Sequence, residues 1–259
     1  MAAETIDDVI RALDRIIDWA WNEKDRLGYF AALYRRVTQA VKAGIQAGEF
    51  QNGPLIERLD VNFAGRYLAA FEQFRSGQTP TASWQVAFHA ASRRSPIVVQ
   101  HLLAGINAHI NLDLGIAAAL TAPGGQISGL QKDFNQINAV LAGLVGTVEK
   151  EIAEISPLIG LLETFSLKTD TTIINFSLDR AREFAWSNAT KMASLSDPEM
   201  QSAIQKLDGE VELLGKIVVS PPWLIRIELW PIRLFETGNV RRMLDVLTSK
   251  ASAKAASKG

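Results

Sequence analysis

The chain contains 259 residues, no cysteine, and 27 lysines and arginines against 28 aspartates and glutamates. This length is enough to bury a substantial core, and the absence of cysteine excludes disulfides, thiolate nucleophiles and thiolate metal sites. Because the charges nearly cancel, no net basic field attracts phosphates or anionic membranes, so we predict no nucleic-acid partner.

Three amphipathic helices are predicted in the first part of the chain. Thr5 and Asp8 form the pattern of a capping box at the start of the first helix, and apolar residues follow at helical spacing. The second helix ends near Gly48, and the third runs from about Leu55 to Phe71. Each helix therefore has one apolar face available for a common core.

A short helix with Trp84 and Phe88 follows, and Ser95 and Pro96 then give the start signals of a long apolar helix, PIVVQHLLAGINAHINLDLGIAAAL. This helix is long enough to span a bilayer, but its two histidines, two asparagines and one aspartate make that position costly. We therefore predict a buried core helix and no membrane span. The acidic start of the chain lacks the features of a secretory signal, which predicts a cytoplasmic protein.

The second half of the chain is divided into further helices by capping and helix-breaking residues: Ser128, Gln131, Pro157, Asp170, Asp197 and Pro198. Alternating β-branched runs are scarce, so little or no sheet is expected. The sequence predicts an all-α, single-domain bundle of about nine helices around the long buried helix, over residues 1–248. The small and basic residues 249–259 are typical of a flexible tail.

Four residues recur at four-residue intervals on the long helix: His101, Gly105, His109 and Asp113. The stripe drifts by only ~40° per step, and Gly105 opens a gap where we expect a ligand to approach the backbone. His109 and Asp113 can hold one cation, or can form a buried pair that fixes the histidine tautomer. His101 lies about 12 Å from His109 along the axis, so either the helix has two subsites or His101 serves the substrate.

Three more polar side chains interrupt apolar helix faces: Asp60, Asp133 and Asn138. Carboxylates are common ligands of hard divalent cations, so Asp60, or Asp133 as the alternative, joins His109 and Asp113 in the predicted metal site. Magnesium is the first choice for this site, with zinc or manganese as alternatives. Asp133 and Asn138 join His101 as the predicted catalytic residues.

The predicted substrate-binding residues are cations and aromatics near apolar faces: Arg180, Arg182, Tyr67, Trp84, Phe88 and Trp186. Either arginine can hold an anionic head group, although arginine stems also lie along apolar surface without binding an anion. The aromatic side chains suit the wall of a hydrophobic pocket, with core packing as the alternative role.

The run HLLAGINAHINLDLGIA, with ERLDVNFAGRYLAA before it and DFNQINAVLAGL after it, resembles a mainly bacterial family of all-helical proteins of unknown function. The likeness extends from about Leu55 to Trp223, and H-I-N-L-D-L-G is its distinctive motif. It implies one helical domain with these residues at the family's polar positions: His101, His109, Asp113, Asp133 and Asn138.

Two classes of function follow from these patterns. The first is a metal-dependent enzyme for a hydrophobic substrate with an anionic head, either a lyase or cyclase of an isoprenoid diphosphate or a hydrolase of a phosphoester or ester. All-helical class I terpene cyclases use Mg²⁺ in this way, although their DDxxD motif is missing here. The second class is a non-catalytic helical binding protein whose polar residues fix helix register. A homodimer is left open in both cases.

Overall fold

The computed structural model describes residues 3–158 and 178–248, and within these ranges the chain is helical with no strand, which confirms the all-α prediction. Eleven α-helices follow in chain order: α1 (Ile6–Glu23), α2 (Gly28–Gln46), α3 (Gly53–Arg75), α4 (Ala82–Ala91), α5 (Val98–Ile106), α6 (Gly115–Thr121), α7 (Ile127–Ile155), α8 (Leu178–Met192), α9 (Asp197–Val219), α10 (Trp223–Phe235) and α11 (Val240–Leu247). A π-helical segment, Asn107–Leu114, joins α5 to α6, and a 3-10 turn, Gly124–Gln126, precedes α7.

The number of helices exceeds the predicted nine for two reasons. The long apolar helix is divided into α5 and α6 by its π segment. A second break follows α10, where the Asn239 side chain accepts a hydrogen bond from the backbone N–H of Arg242 at 3.2 Å and starts α11. The division into a domain over residues 1–248 and a tail stays a prediction, and residues 249–259 lie outside the described ranges.

The predicted cap of the first helix is confirmed, whereas that of α7 is wrong. The hydroxyl of Thr5 accepts a hydrogen bond from the Asp8 backbone N–H at 3.2 Å, and the Asp8 carboxylate accepts one from the Thr5 N–H at 3.0 Å. Ser128 instead lies inside the first turn of α7 and donates its hydroxyl to the carbonyl of Gly125 at 2.9 Å. Asp170, the predicted cap of the next helix, lies outside the described residues.

The run from α5 to α6, Val98–Thr121, is long and apolar enough to cross a membrane by length and composition alone. Of the apolar window within it, 83% is buried inside the protein. Burial against its own chain is the expected state of a core helix, and a single such helix is weak support for a membrane span.

Two glycines on this run allow other helices to approach it closely. A β-carbon at Gly105 would lie 2.5 Å from the Phe30 ring of α2, and one at Gly115 would lie 2.8 Å from the carbonyl oxygen of Ala185 in α8. The predicted gap at Gly105 is therefore occupied by Phe30, so the expectation of a ligand at that position is wrong. The glycine serves helix packing instead.

Two apolar core clusters meet at the middle of the molecule. One is formed mainly by α1, α2, α4, α11 and the second half of α3, and the other by the first half of α3 with α6 to α9. Phe63 and Val37 contact both clusters. The two clusters do not close completely against each other, and the candidate functional site lies at their junction.

Candidate functional site

A cavity of about 240 Å³ lies between α2, α3, the π segment, α7 and the start of α8. Its inner end is formed by buried side chains, among them Tyr34, Asp60 and His109. Its outer end is formed by half-buried aliphatic side chains such as Leu33 on α2 and Leu141 on α7. The cavity therefore has apolar walls, a few polar groups at its inner end, and an outer end close to the surface.

The imidazole of His109 is held rigidly at the inner end of the cavity. Its ring stacks on Phe63 with the centroids 3.5 Å apart, and it packs edge to face with the Tyr34 ring with the centroids 4.4 Å apart. Its Nδ1 lies 3.3 Å from Oδ2 of Asp113. Because a carboxylate can only accept, Nδ1 carries the proton, and Nε2 has a lone pair that meets no hydrogen-bond partner.

Burial lowers the pKa of His109, and the hydrogen bond and negative charge of Asp113 oppose this only in part. The imidazole is therefore neutral near pH 7. Its unpartnered Nε2 is a hydrogen-bond acceptor and a potential base inside an apolar cavity.

Asp113 positions His109 from behind and lies outside the cavity lining. Its Oδ1 accepts a hydrogen bond from Nε of Arg66 at 2.7 Å, and its Oδ2 accepts one from the indole N–H of Trp84 at 2.8 Å. The carboxylate is only 1% exposed, so its charge is balanced by Arg66 rather than by water. Both carboxylate oxygens are thus occupied by donors from the protein.

Asp60, like His109 and Tyr34, has an unsatisfied polar atom at the cavity. It is 7% exposed, and its Oδ2 has no hydrogen-bond partner. Burial, together with the nearby negative charge of Glu57, raises the pKa of its carboxyl group from 3.8 to about 7. Near neutral pH a large fraction of Asp60 is therefore protonated and can donate a hydrogen bond into the cavity.

The structure divides the predicted metal ligands between two places. His109 and Asp60 line the cavity, whereas Asp113 lines a separate cleft beside Arg66 and Trp84. Across the described residues there is no group of three or more histidine, aspartate or glutamate side chains arranged to share an ion. Magnesium, zinc or manganese binding stays a prediction without a ligand set in this part of the chain.

Of the predicted catalytic residues, Asp133 and Asn138 make hydrogen bonds that join helices. Asp133 accepts from the backbone N–H groups of Gln51 and Asn52 at 2.7 and 2.8 Å, and so fixes the start of α3 against α7. Asn138 accepts from Nε of Arg182. Both amino acids therefore have structural partners within the fold.

His101 lies apart from the cavity, beside the ring of Tyr29 at a centroid distance of 5.8 Å. Burial lowers the pKa of His101 to about 3, and the charge of Arg26 contributes in the same direction. It lines a separate void of only about 20 Å³, which is too small for a substrate. His101 therefore does not line the cavity that contains His109.

Among the predicted substrate-binding residues, Arg182 lines the cavity and the others lie elsewhere. Arg180 is exposed on α8, and Trp186 packs on Phe134 at 4.8 Å. The remaining three form one stacked aromatic cluster with neighbouring centroids 5.0 Å apart: Tyr67, Trp84 and Phe88. This cluster supports Asp113 through the Trp84 indole rather than touching the cavity.

No role at the site was predicted for three side chains that shape it: Tyr34, Phe63 and Arg66. Tyr34 belongs to an ordinary amphipathic stripe on α2, and nothing in its spacing distinguishes a cavity wall from a core position. Arg66 stands 47 residues before Asp113, so their pairing depends on how α3 packs against the π segment. The π segment contains both His109 and Asp113, and such widened helical turns are frequent at functional sites.

A protein-family model described as a family of unknown function (DUF5995) matches residues 6–221. The chain belongs to this family. Comparison with proteins of curated function and with solved structures finds no match. The resemblance expected from the HLLAGINAHINLDLGIA run, to a family of unknown function, is confirmed by this match.

Proposed function

In this member of the DUF5995 family, we propose that the cavity binds a hydrophobic small molecule that carries a neutral hydroxyl group. The observation that carries this proposal is a group of three unpartnered polar atoms in a mostly apolar wall: His109 Nε2, Asp60 Oδ2 and the hydroxyl oxygen of Tyr34. A buried polar atom without a partner costs about 1–3 kcal/mol. A bound molecule with a polar head would supply the missing hydrogen bonds.

The size of the cavity limits the molecule. A cavity of about 150 Å³ holds benzene, so this cavity of about 240 Å³ suits a ligand of about ten heavy atoms. The walls between the inner and the outer end are aliphatic and aromatic, which favours a linear or branched hydrocarbon chain.

The polar groups at the inner end favour a neutral head over an anionic one. His109 Nε2 accepts and the protonated Asp60 donates, so one hydroxyl group, which both donates and accepts, satisfies the pair, whereas a carbonyl group can only accept from Asp60. Arg182, the cation of the lining, already donates to Asn138 and to the carbonyl of Phe134. A diphosphate head, as in the metal-dependent lyase or cyclase prediction, would lie against a carboxyl group with a raised pKa and would drive it further towards the neutral form.

Binding of 1-decanol, decanoate and geranyl diphosphate, the last with and without Mg²⁺, tests the proposal by displacement of a hydrophobic fluorescent probe. We expect 1-decanol to bind at least about tenfold more tightly than decanoate at pH 7, because burial of the decanoate carboxylate beside Asp60 is costly. Equal or tighter binding of decanoate would contradict the neutral head. Tight binding of geranyl diphosphate only with Mg²⁺ would support the metal-dependent prediction instead.

A variant that narrows the outer end of the cavity, with a matched control on the surface, tests where the molecule binds. Leu141→Trp places a bulky ring on the cavity wall and is expected to weaken 1-decanol binding by about tenfold or more. Leu213→Trp makes the same change at a side chain on α9 that is 61% exposed, and it is expected to leave binding unchanged. If both variants bind like the parent chain, the molecule does not enter this cavity.

A second candidate, acid–base catalysis on the bound molecule, is favoured by the contact between Asp113 and His109. A carboxylate that holds Nδ1–H of a histidine leaves Nε2 as a base, and this arrangement recurs in hydrolases. Incubation with a decyl ester, followed by mass spectrometry, separates the two functions. Conversion that is lost in His109→Gln supports an enzyme, and quantitative recovery of the ester supports a binding protein.

A further inference from the structure

α10 carries two apolar stripes on different faces. The buried stripe packs against the protein and consists of Ile225, Leu229 and Ile232, each at most 9% exposed. The second stripe repeats at i, i+4, i+7 and i+11, with every side chain at least 58% exposed: Trp223, Ile227, Trp230 and Leu234. Exposed apolar surface of this extent on one short helix is typical of an interaction site.

Four arginines border this exposed stripe. A groove of about 710 Å³ beside α10 is lined by arginines from α10 and from the loop before α5, with no aspartate or glutamate in its lining: Arg93, Arg94, Arg226 and Arg233. Nη1 of Arg93 donates to the Ser220 hydroxyl at 2.9 Å, and Nε of Arg233 donates to the carbonyl of Arg94 at 2.6 Å. The guanidinium groups are therefore held beside the exposed indoles.

This combination indicates which partner fits. Tryptophan rings favour the boundary between water and hydrocarbon, and arginines beside them attract anionic head groups. A nucleic acid would leave the aliphatic side chains Ile227 and Leu234 without a partner, whereas an apolar protein surface would leave the arginines unbalanced. We propose that α10 lies in the surface of an anionic phospholipid bilayer, with its exposed stripe in the lipid and its arginines among the head groups.

This surface is independent of the proposed ligand cavity. No residue of α10 lines the cavity, and α10 begins at Trp223, just beyond the segment 6–221 that matches the family model. The net charge of −1 does not reveal this arginine-rich surface, because acids elsewhere in the chain balance its arginines. The prediction that no anionic membrane attracts the chain rested on that average and not on a local patch.

Co-sedimentation of the full chain with lipid vesicles tests the proposal. Vesicles of about one-third phosphatidylglycerol in phosphatidylcholine are expected to bind it, binding to pure phosphatidylcholine should be about tenfold or more weaker, and about 0.5 M salt should reduce the difference. Trp223→Ser with Trp230→Ser, and separately Arg226→Glu, should each lower the partition coefficient by about tenfold.

Two control variants make the same kinds of change on α9, away from the proposed membrane-binding surface. Leu213→Ser removes an apolar side chain that is 61% exposed on α9, and Lys206→Glu reverses an exposed charge on the same helix; both should bind vesicles like the parent chain. Absence of binding to anionic vesicles, or equal binding by all variants, overturns the proposal. The membrane proposal is also overturned if the chain does not bind vesicles and Ile227→Glu converts a dimer into a monomer in sedimentation velocity. The exposed stripe of α10 would then join two copies of the chain.

Discussion

The Asp113→Ala variant is expected to unfold with a free energy about 3–5 kcal/mol below that of the parent chain. The substitution removes the acceptor of three donors at once: Nε of Arg66, the Trp84 indole N–H and Nδ1–H of His109. Trp84 and His109 are almost completely buried, so water cannot easily replace the lost bonds, and Arg66 loses its counter-charge. Urea unfolding at pH 7 measures the difference.

Asp197→Asn is the control for this experiment. Asp197 is exposed at the start of α9, where loss of its charge is expected to cost no more than about 1 kcal/mol. An Asp113→Ala loss as small as that of the control would show that Arg66 reaches water freely and that the buried ion pair contributes little. Asp113 would then have no measurable role in holding His109.

Replacing Asp60 by asparagine is expected to stabilise the protein at pH 8 and not at pH 4. The unfolded chain releases the Asp60 proton near pH 4, whereas the folded protein retains it until about pH 7. The folded state therefore binds more protons between these values, and its stability falls as the pH rises, by about 1.4 kcal/mol per unit. Asparagine cannot ionise, so the variant escapes a loss that reaches about 4 kcal/mol at most.

Urea unfolding of both chains at several pH values between about 4 and 8 measures this effect, since the difference between them isolates Asp60 from other groups. Glu236, whose pKa is also raised to about 7 by burial, contributes equally to both chains. The exposed-acid variant Asp197→Asn should show no such pH-dependent gain. A stability difference that is the same at pH 4 and pH 8 would mean that Asp60 ionises normally and is not desolvated at the cavity.

A stabilising substitution at Asp60 would itself have a functional meaning. Natural side chains that reduce stability are concentrated at sites where another requirement holds them in place. Asp60 lies beside the cavity with an unpartnered oxygen, which is the arrangement expected of a group retained for a ligand.

Local spacing allowed one part of the site to be predicted from the sequence. Asp113 lies four positions after His109, and helix geometry brings such pairs together; Nδ1 of His109 and Oδ2 of Asp113 lie 3.3 Å apart. Arg66 and Trp84 complete the arrangement from α3 and α4, and no sequence period relates them to Asp113. Their positions follow from how the helices pack, which the apolar patterns leave undetermined.

At other positions the sequence correctly indicated a contact, but not the group that makes it. The sequence indicated a close approach at Gly105, and the approaching group is Phe30 of the same chain. Asp133 interrupts an apolar face because it accepts from two backbone N–H groups at the start of α3. A polar residue on an apolar stripe shows that a partner exists, but the residue pattern does not distinguish the protein's own backbone from a ligand.

The central claim, that His109 accepts a hydrogen bond from a neutral ligand in the cavity, is tested most directly by NMR of the chain with ¹⁵N-labelled histidine. Addition of 1-decanol at pH 7 should shift the Nε2 resonance of His109 in the direction of a hydrogen-bonded acceptor, while Nδ1 stays protonated. The resonances of His89 and His101, which lie outside the cavity, should not move. An unchanged His109 resonance under saturating 1-decanol, or a shift at His101 instead, would contradict the account.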